Sequence, residues 1–98
     1  MKQKKYSSTS KATKELYELI SKLKNSKDVE KLLRDLLTES ELSMIVQRWE
    51  IAKMVEDDVP YQKIWSKTGA GMTTISRVTQ KILYGQGGLK TAINKVKK

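Results

Sequence analysis

Apolar residues recur along this chain at the spacing of helices. Residues 13–24 place Leu16, Leu19, Ile20 and Leu23 on one stripe with Tyr17 at its border, which predicts a first helix. Asn25-Ser26 interrupts it. Residues 27–37 put Val29, Leu32, Leu33, Leu36 and Leu37 on one face, with Ser26 as N-cap and Asp28 in the first turn, where a negative charge suits the helix dipole. Thr38-Glu39-Ser40-Glu41 has the form of a capping box, in which Thr38 and Glu41 each accept from the other's backbone N–H. The helix it opens carries Leu42, Ile45, Val46, Trp49, Ala52 and Val55 to about Glu56. As the longest apolar stripe, it is expected to be the central core helix.

Asp57-Asp58-Val59-Pro60 reads as a stop and a restart, with Pro60 in the first turn of the next helix and Asp58 a better cap than Val59. A short helix over 61–67 turns Ile64 inward. Thr68-Gly69-Ala70-Gly71 is a tight turn, and Gly69 suits a left-handed helix end. Residues 72–83 resume helical periodicity through Ile75, Val78, Thr79 and Ile82. Tyr84-Gly85-Gln86-Gly87-Gly88 stops that helix, and 89–96 forms a last one with Leu89, Ala92, Ile93 and Val96 on one face. No stretch alternates with period two between hairpin turns, and no internal repeat is present. The fold class is all-α with about six helices.

Composition narrows the chemistry. A chain of 98 residues suggests one domain with a limited core, so association with a second copy is a live expectation. Without cysteine or histidine, the chain has no disulfide, no thiolate zinc site, no thiol nucleophile, and neither the commonest general base nor the commonest metal ligand. The carboxylates Glu39, Glu41 and Glu50 sit on amphipathic helices with no glycine-rich phosphate loop nearby, so an enzyme is not expected. No apolar run approaches the roughly 20 residues of a spanning helix. The basic residues 1–12 are not followed by the apolar region of a secretory signal, and the expected address is the cytoplasm.

The net charge of +9 is unevenly placed. Residues 1–14 hold five lysines and no acid, residues 15–58 hold seven basic and all eleven acidic residues, and residues 59–98 hold eight basic residues and no acid. A surface built only for solubility normally intersperses both signs. Residues 1–12, rich in Lys, Ser and Thr, read as a flexible basic arm ahead of a helical domain over 13–98. The excess over the last forty residues points to a polyanionic partner.

The region of about 60–83 has the size and punctuation of a helix-turn-helix. Gly69 supplies the positive φ of the turn, Ile64, Ile75 and Val78 are spaced to pack together, and Met72, Thr73, Thr74 and Ser76 present short polar or apolar groups where bases are read. Arg77 and Lys81 follow as phosphate contacts or internal salt links. Trp65 stands where a small or polar residue is usual. It either packs against the turn or leaves a partly exposed ring near the backbone of the bound nucleic acid.

The runs Leu37-Thr38-Glu39-Ser40-Glu41, Gln47-Arg48 and Gly69-Ala70-Gly71-Met72-Thr73-Thr74-Ile75-Ser76-Arg77 resemble the Trp repressor family. The likeness is strongest to its YerC/YecD branch, through Arg48-Trp49-Glu50-Ile51-Ala52-Lys53-Met54, Tyr61-Gln62-Lys63-Ile64, Thr68-Gly69-Ala70, Thr74-Ile75-Ser76-Arg77-Val78 and Tyr84-Gly85. The resemblance implies an intertwined, all-helical homodimer that presents two helix-turn-helix units to double-stranded DNA. It places Met72, Thr73, Thr74 and Ser76 at the DNA face, with Gln62 and Lys63 on the supporting helix nearby. The function expected is a sequence-specific, repressor-like transcriptional regulator. The alternatives are a non-specific nucleic-acid compactor and a helical protein-interaction domain.

By the same resemblance Arg48 and Arg77 match the two arginines that sandwich an indole, and Thr38 and Thr74 match further pocket positions. Val78 stands where the family has a glycine and narrows the pocket. Lys81 stands where a serine hydroxyl lies near the ligand ammonium, and a cation there repels that ammonium by about 1 kcal/mol in wet surroundings and more when desolvated. In a pocket of Thr38, Arg48, Thr74, Arg77, Val78 and Lys81, those two departures, Val78 and Lys81, weigh against L-tryptophan. Two arginines and a lysine suit a small anionic effector without an amino group. No cofactor or metal is expected.

Overall fold

The structure, a computed structural model, describes residues 5–97. The first four residues of the basic arm, Lys2 and Lys4 among them, and Lys98 lie outside it. Among the described residues there are six helices and no strand: α1 (Lys11–Lys22), α2 (Ser26–Leu36), α3 (Glu39–Glu56), α4 (Tyr61–Thr68), α5 (Met72–Tyr84) and α6 (Gly88–Val96). Two compact units divide the chain, one ending at Glu39 and one beginning at Ser40.

Two starts in the N-terminal unit differ from the sequence reading by a few residues. α1 begins at Lys11 because Ser10 caps it, accepting from the Thr13 N–H at 3.2 Å. The Thr13 hydroxyl donates to the Ser7 carbonyl and the Tyr17 hydroxyl to the Ser8 carbonyl, which folds residues 7–10 back on the helix. α2 is capped by Asn25 and not by Ser26: the Asn25 side-chain oxygen accepts from the Asp28 N–H at 2.9 Å. Asn25, being extended, can offer its side chain, whereas Ser26 already belongs to the helix. Neither α1 nor α2 has a buried residue.

In the C-terminal unit the core is Ile51, Ala52, Ile64, Ala70, Ile75, Val78, Ile82 and Ile93, ringed by Trp49, Met54, Val55, Val59, Tyr61 and Leu89. α3 enters this core only with its second half. Ile51 and Ala52 are fully buried, while Met44, Ile45 and Val46 stay half exposed. The expected single stripe is thus corrected. α3 is apolar on two sides, because Met44, Ile51 and Val55 lie opposite Leu42, Val46 and Trp49 on the helical wheel. Lys53, one turn after Trp49, pairs with Glu50 and lies 5.7 Å from the centre of the Trp49 ring.

The α3–α4 junction also corrects the reading of Asp58. It caps nothing on α4, whose N-cap is the extended Pro60. Instead Asp58 ends α3 in the left-handed region at φ 56°. Val59 N–H donates to the Met54 carbonyl at 3.0 Å and Asp58 N–H to the Val55 carbonyl at 3.1 Å, the paired bonds of a Schellman ending. Lys97 reaches Asp57 at 2.8 Å. That bond, then the carboxylate's charge, raises the Lys97 pKa, although both groups are exposed. Gly85 ends α5 at a place with no room for a side chain: a Cβ there would lie 2.3 Å from the Lys81 carbonyl oxygen.

Candidate nucleic-acid interface

α4 and α5 are the helix-turn-helix expected from the sequence, and a small set of interactions fixes the angle between them. Ile64 of α4, Ala70 of the turn, and Ile75, Val78 and Ile82 of α5 are buried together. Gly69 takes the left-handed conformation at φ 73° and donates its N–H to the Trp65 carbonyl at 2.8 Å. The Thr68 hydroxyl donates to the Ile64 carbonyl at 2.7 Å and accepts from the Ala70 N–H at 3.1 Å. From α3, the Gln47 amide donates to the Thr68 carbonyl at 3.0 Å. At the far end the Tyr61 hydroxyl lies 2.9 Å from the Thr79 hydroxyl, which donates to the Ile75 carbonyl, so Tyr61 is the donor of that pair. Buried and part-buried polar groups of the turn are thereby satisfied.

This scaffold turns a polar, cationic face outward. Met72, Thr73, Ser76, Arg77, Gln80 and Lys81 border a shallow, open groove on the outward face of α5. Gln62 and Lys63 are exposed on α4, and Thr74 is half-buried. Gly71 caps α5 without a side-chain acceptor, so the first-turn N–H groups have no side chain over them. Gln80 was missed in the sequence reading, although it lies seven residues after Thr73 and three after Arg77, on the same helix face.

A second, smaller cavity of about 380 Å³ is lined by Arg48, Thr74, Arg77, Val78, Lys81 and Leu89. It joins five of the six residues named for an effector pocket and adds Leu89. The sixth, Thr38, belongs to the N-terminal unit. Three cations and no carboxylate line this cavity. The ion pairs found among the described residues, Arg34–Glu30, Lys53–Glu50 and Lys97–Asp57, engage none of them. Val78 is 5% exposed and fills space between the helices. Arg77 and Lys81 line both the groove and the cavity.

Comparison with known proteins agrees with the all-helical fold. Residues 11–97 match the model of the family described as Trp repressor protein. The chain is 38% identical over 87 residues to the uncharacterized protein YerC of Bacillus subtilis (strain 168), covering 86% of this chain and 84% of YerC. A solved TrpR-like protein from Eubacterium eligens ATCC 27750 superposes with a TM-score of 0.85 at 31% identity, covering 91% of this chain and 92% of that one. A Trp repressor candidate from Staphylococcus aureus does so with a TM-score of 0.82 at 29% identity, covering 88% and 86%.

Proposed function

The chain belongs to the Trp repressor family, and from that premise we propose that it is a homodimeric, sequence-specific DNA-binding transcriptional regulator of the repressor type. It belongs to a family of regulators and not of enzymes. The observation that carries the reading is the open groove on α5, where Thr73, Ser76 and Gln80 offer hydrogen bonds and Met72 an apolar contact beside Arg77 and Lys81. Hydroxyl and amide groups read base edges in a major groove, and a methionine meets a thymine methyl. No acid stands anywhere after residue 58 to repel phosphate. Gln62, Lys63, Thr74 and the first-turn N–H groups of α5 add backbone contacts.

Dimerisation is supported by what one chain leaves uncovered. Met44, Ile45 and Val46 on α3 are each half exposed, as is Leu36 on α2. Among the described residues no helix is long and apolar enough to cross a membrane, which fits a cytoplasmic regulator. The test is a selection from random double-stranded DNA. Recovery of a two-fold symmetric motif with half-sites about one helical turn apart supports the reading. Recovery of DNA without any motif favours a compactor, and no binding at low salt favours a protein-interaction domain.

A second reading concerns the effector. The cavity holding Arg48, Arg77 and Lys81 beside Val78 and Leu89 suits a small anion with an apolar body and no ammonium group. Calorimetric titration compares L-tryptophan with carboxylates lacking the amino group. Micromolar binding of L-tryptophan overturns this reading.

A further inference from the structure

Trp65 is 58% exposed, although the residue before it, Ile64, is completely buried. Its side chain has no hydrogen bond, ion pair or ring contact among the described residues, whereas Trp49 packs on the core under Lys53. The exposure does not come from a loose segment. Trp65 sits in the last turn of α4, where its carbonyl holds the Gly69 N–H and where Gln47 fastens the neighbouring Thr68 carbonyl. The indole is therefore held out by a fixed backbone.

Its surroundings define what can cover it. On α4 its same-face neighbour is Gln62, three residues before it. Lys63 and Lys67, each two residues away, project from the other side of α4, and the chain from residue 59 onward has no acid. A lone ring beside an amide does not make the apolar stripe that a second copy of the chain would need. Other uncovered apolar residues lie elsewhere, among them Met44, Ile45 and Val46 on α3. A polyanion whose surface alternates phosphate oxygens with apolar sugar edges matches it on both counts. The indole N–H is a donor only, suited to a phosphate oxygen, and the ring suits the sugar.

We propose that Trp65 is a DNA-contact residue, its indole lying on the sugar–phosphate backbone of the duplex read by α5 and supplying an uncharged contact there. The inference rests on the DNA-binding reading above. An uncharged contact releases no counterion, so it adds affinity without steepening the salt dependence. Removing about 60 Å² of ring surface from water corresponds to roughly tenfold in affinity.

The experiment uses the full chain and a duplex recovered from the random-library selection. In a Trp49→Phe variant Trp65 is the sole tryptophan. Its emission should change on adding duplex, and acrylamide quenching should fall by about half or more. Trp65→Ala should weaken binding about tenfold with an unchanged slope of affinity against salt, while Lys63→Ala should flatten that slope by about one unit. The fluorescence arm needs no loss of Trp65, so it stands if Trp65→Ala folds poorly. If the unaltered protein binds duplex while Trp65 stays equally open to acrylamide, this proposal falls and the DNA-binding reading stands. If Trp65 becomes protected without DNA as protein concentration rises, a second copy covers it and the proposal falls. If the unaltered protein binds no duplex, both fall together.

Discussion

The side-chain amide of Gln47 donates to the backbone carbonyl of Thr68 across 3.0 Å, joining the middle of α3 to the end of α4. The bond reaches the helix-turn-helix at its most sensitive point, one residue before the left-handed Gly69. Replacing Gln47 with Ala leaves a part-buried carbonyl without this donor, which costs about 1 kcal/mol. The loss should show as a lower denaturant midpoint with an unchanged m-value. DNA affinity should fall as well, because α5 is aimed by that turn. An unchanged midpoint and unchanged DNA binding together would show that Gln47 does not hold the turn.

Asp58 offers a prediction of opposite sign. It is the non-glycine residue found with positive φ among the described residues, closing α3 in the left-handed region. Such a residue costs roughly 1–2 kcal/mol relative to right-handed backbone, a cost glycine avoids. Asp58→Gly should therefore stabilise the protein by up to about 1 kcal/mol, read as a raised thermal midpoint. Loss of stability would mean that the Asp58 carboxylate serves the junction in a way its backbone does not reveal.

The six helices and the turn at Gly69 were legible because each is written in local chemistry: apolar spacing, a glycine where φ is positive, and glycine after Tyr84 where the Lys81 carbonyl leaves no room. The start of α2 was misread at its cap. Asn25 and Ser26 are both competent caps, and the choice depends on which is extended. Asp58 looked like the start of α4 because cap preference does not distinguish a residue opening one helix from a residue closing another. The role of α3 was misjudged because a stripe of period 3.6 does not show how far a partner element extends. Ile51 lies off the stripe and is buried, while Ile45 lies on it and is half exposed. At the site, residues of the family motif were legible, but Gln80 and Leu89 line the groove and cavity outside any motif and needed the fold to place them.

Base readout is expected to separate from backbone contact by salt. Thr73→Ala or Thr74→Ala should relax preference at one base pair by about 1–3 kcal/mol, seen as competition by singly altered duplexes. Affinity of the unaltered protein should fall steeply between low and moderate salt. Salt-insensitive binding would sink the phosphate part of the account.

The effector cavity yields a prediction about what is excluded. Val78 fills space and Lys81 adds a cation, so L-tryptophan should show no micromolar heat of binding. Val78→Gly with Lys81→Ser should improve its binding by tenfold or more if those two side chains are the obstacle. Helix content must be checked alongside, since an interior glycine costs about 1 kcal/mol before any lost packing. Equal indifference of the altered and unaltered proteins to L-tryptophan would place the obstacle elsewhere.

The last prediction concerns assembly. Met44, Ile45 and Val46 are each half exposed on consecutive positions of α3, and no residue of α1 or α2 is buried within one chain. If a second copy covers these faces, sedimentation should give a dimer and the thermal midpoint should rise with protein concentration. Ile45→Asp should oppose this twice in a symmetric interface, once per copy. Each loss of a buried apolar side chain is worth about 1.5–3 kcal/mol, so the dimer should weaken by roughly 3–6 kcal/mol. In a monomer the same change falls on a half-exposed position outside the core and moves stability by well under that. A protein that sediments as a monomer at high concentration and tolerates Ile45→Asp would refute the dimer, and with it the two-fold motif expected from the DNA selection.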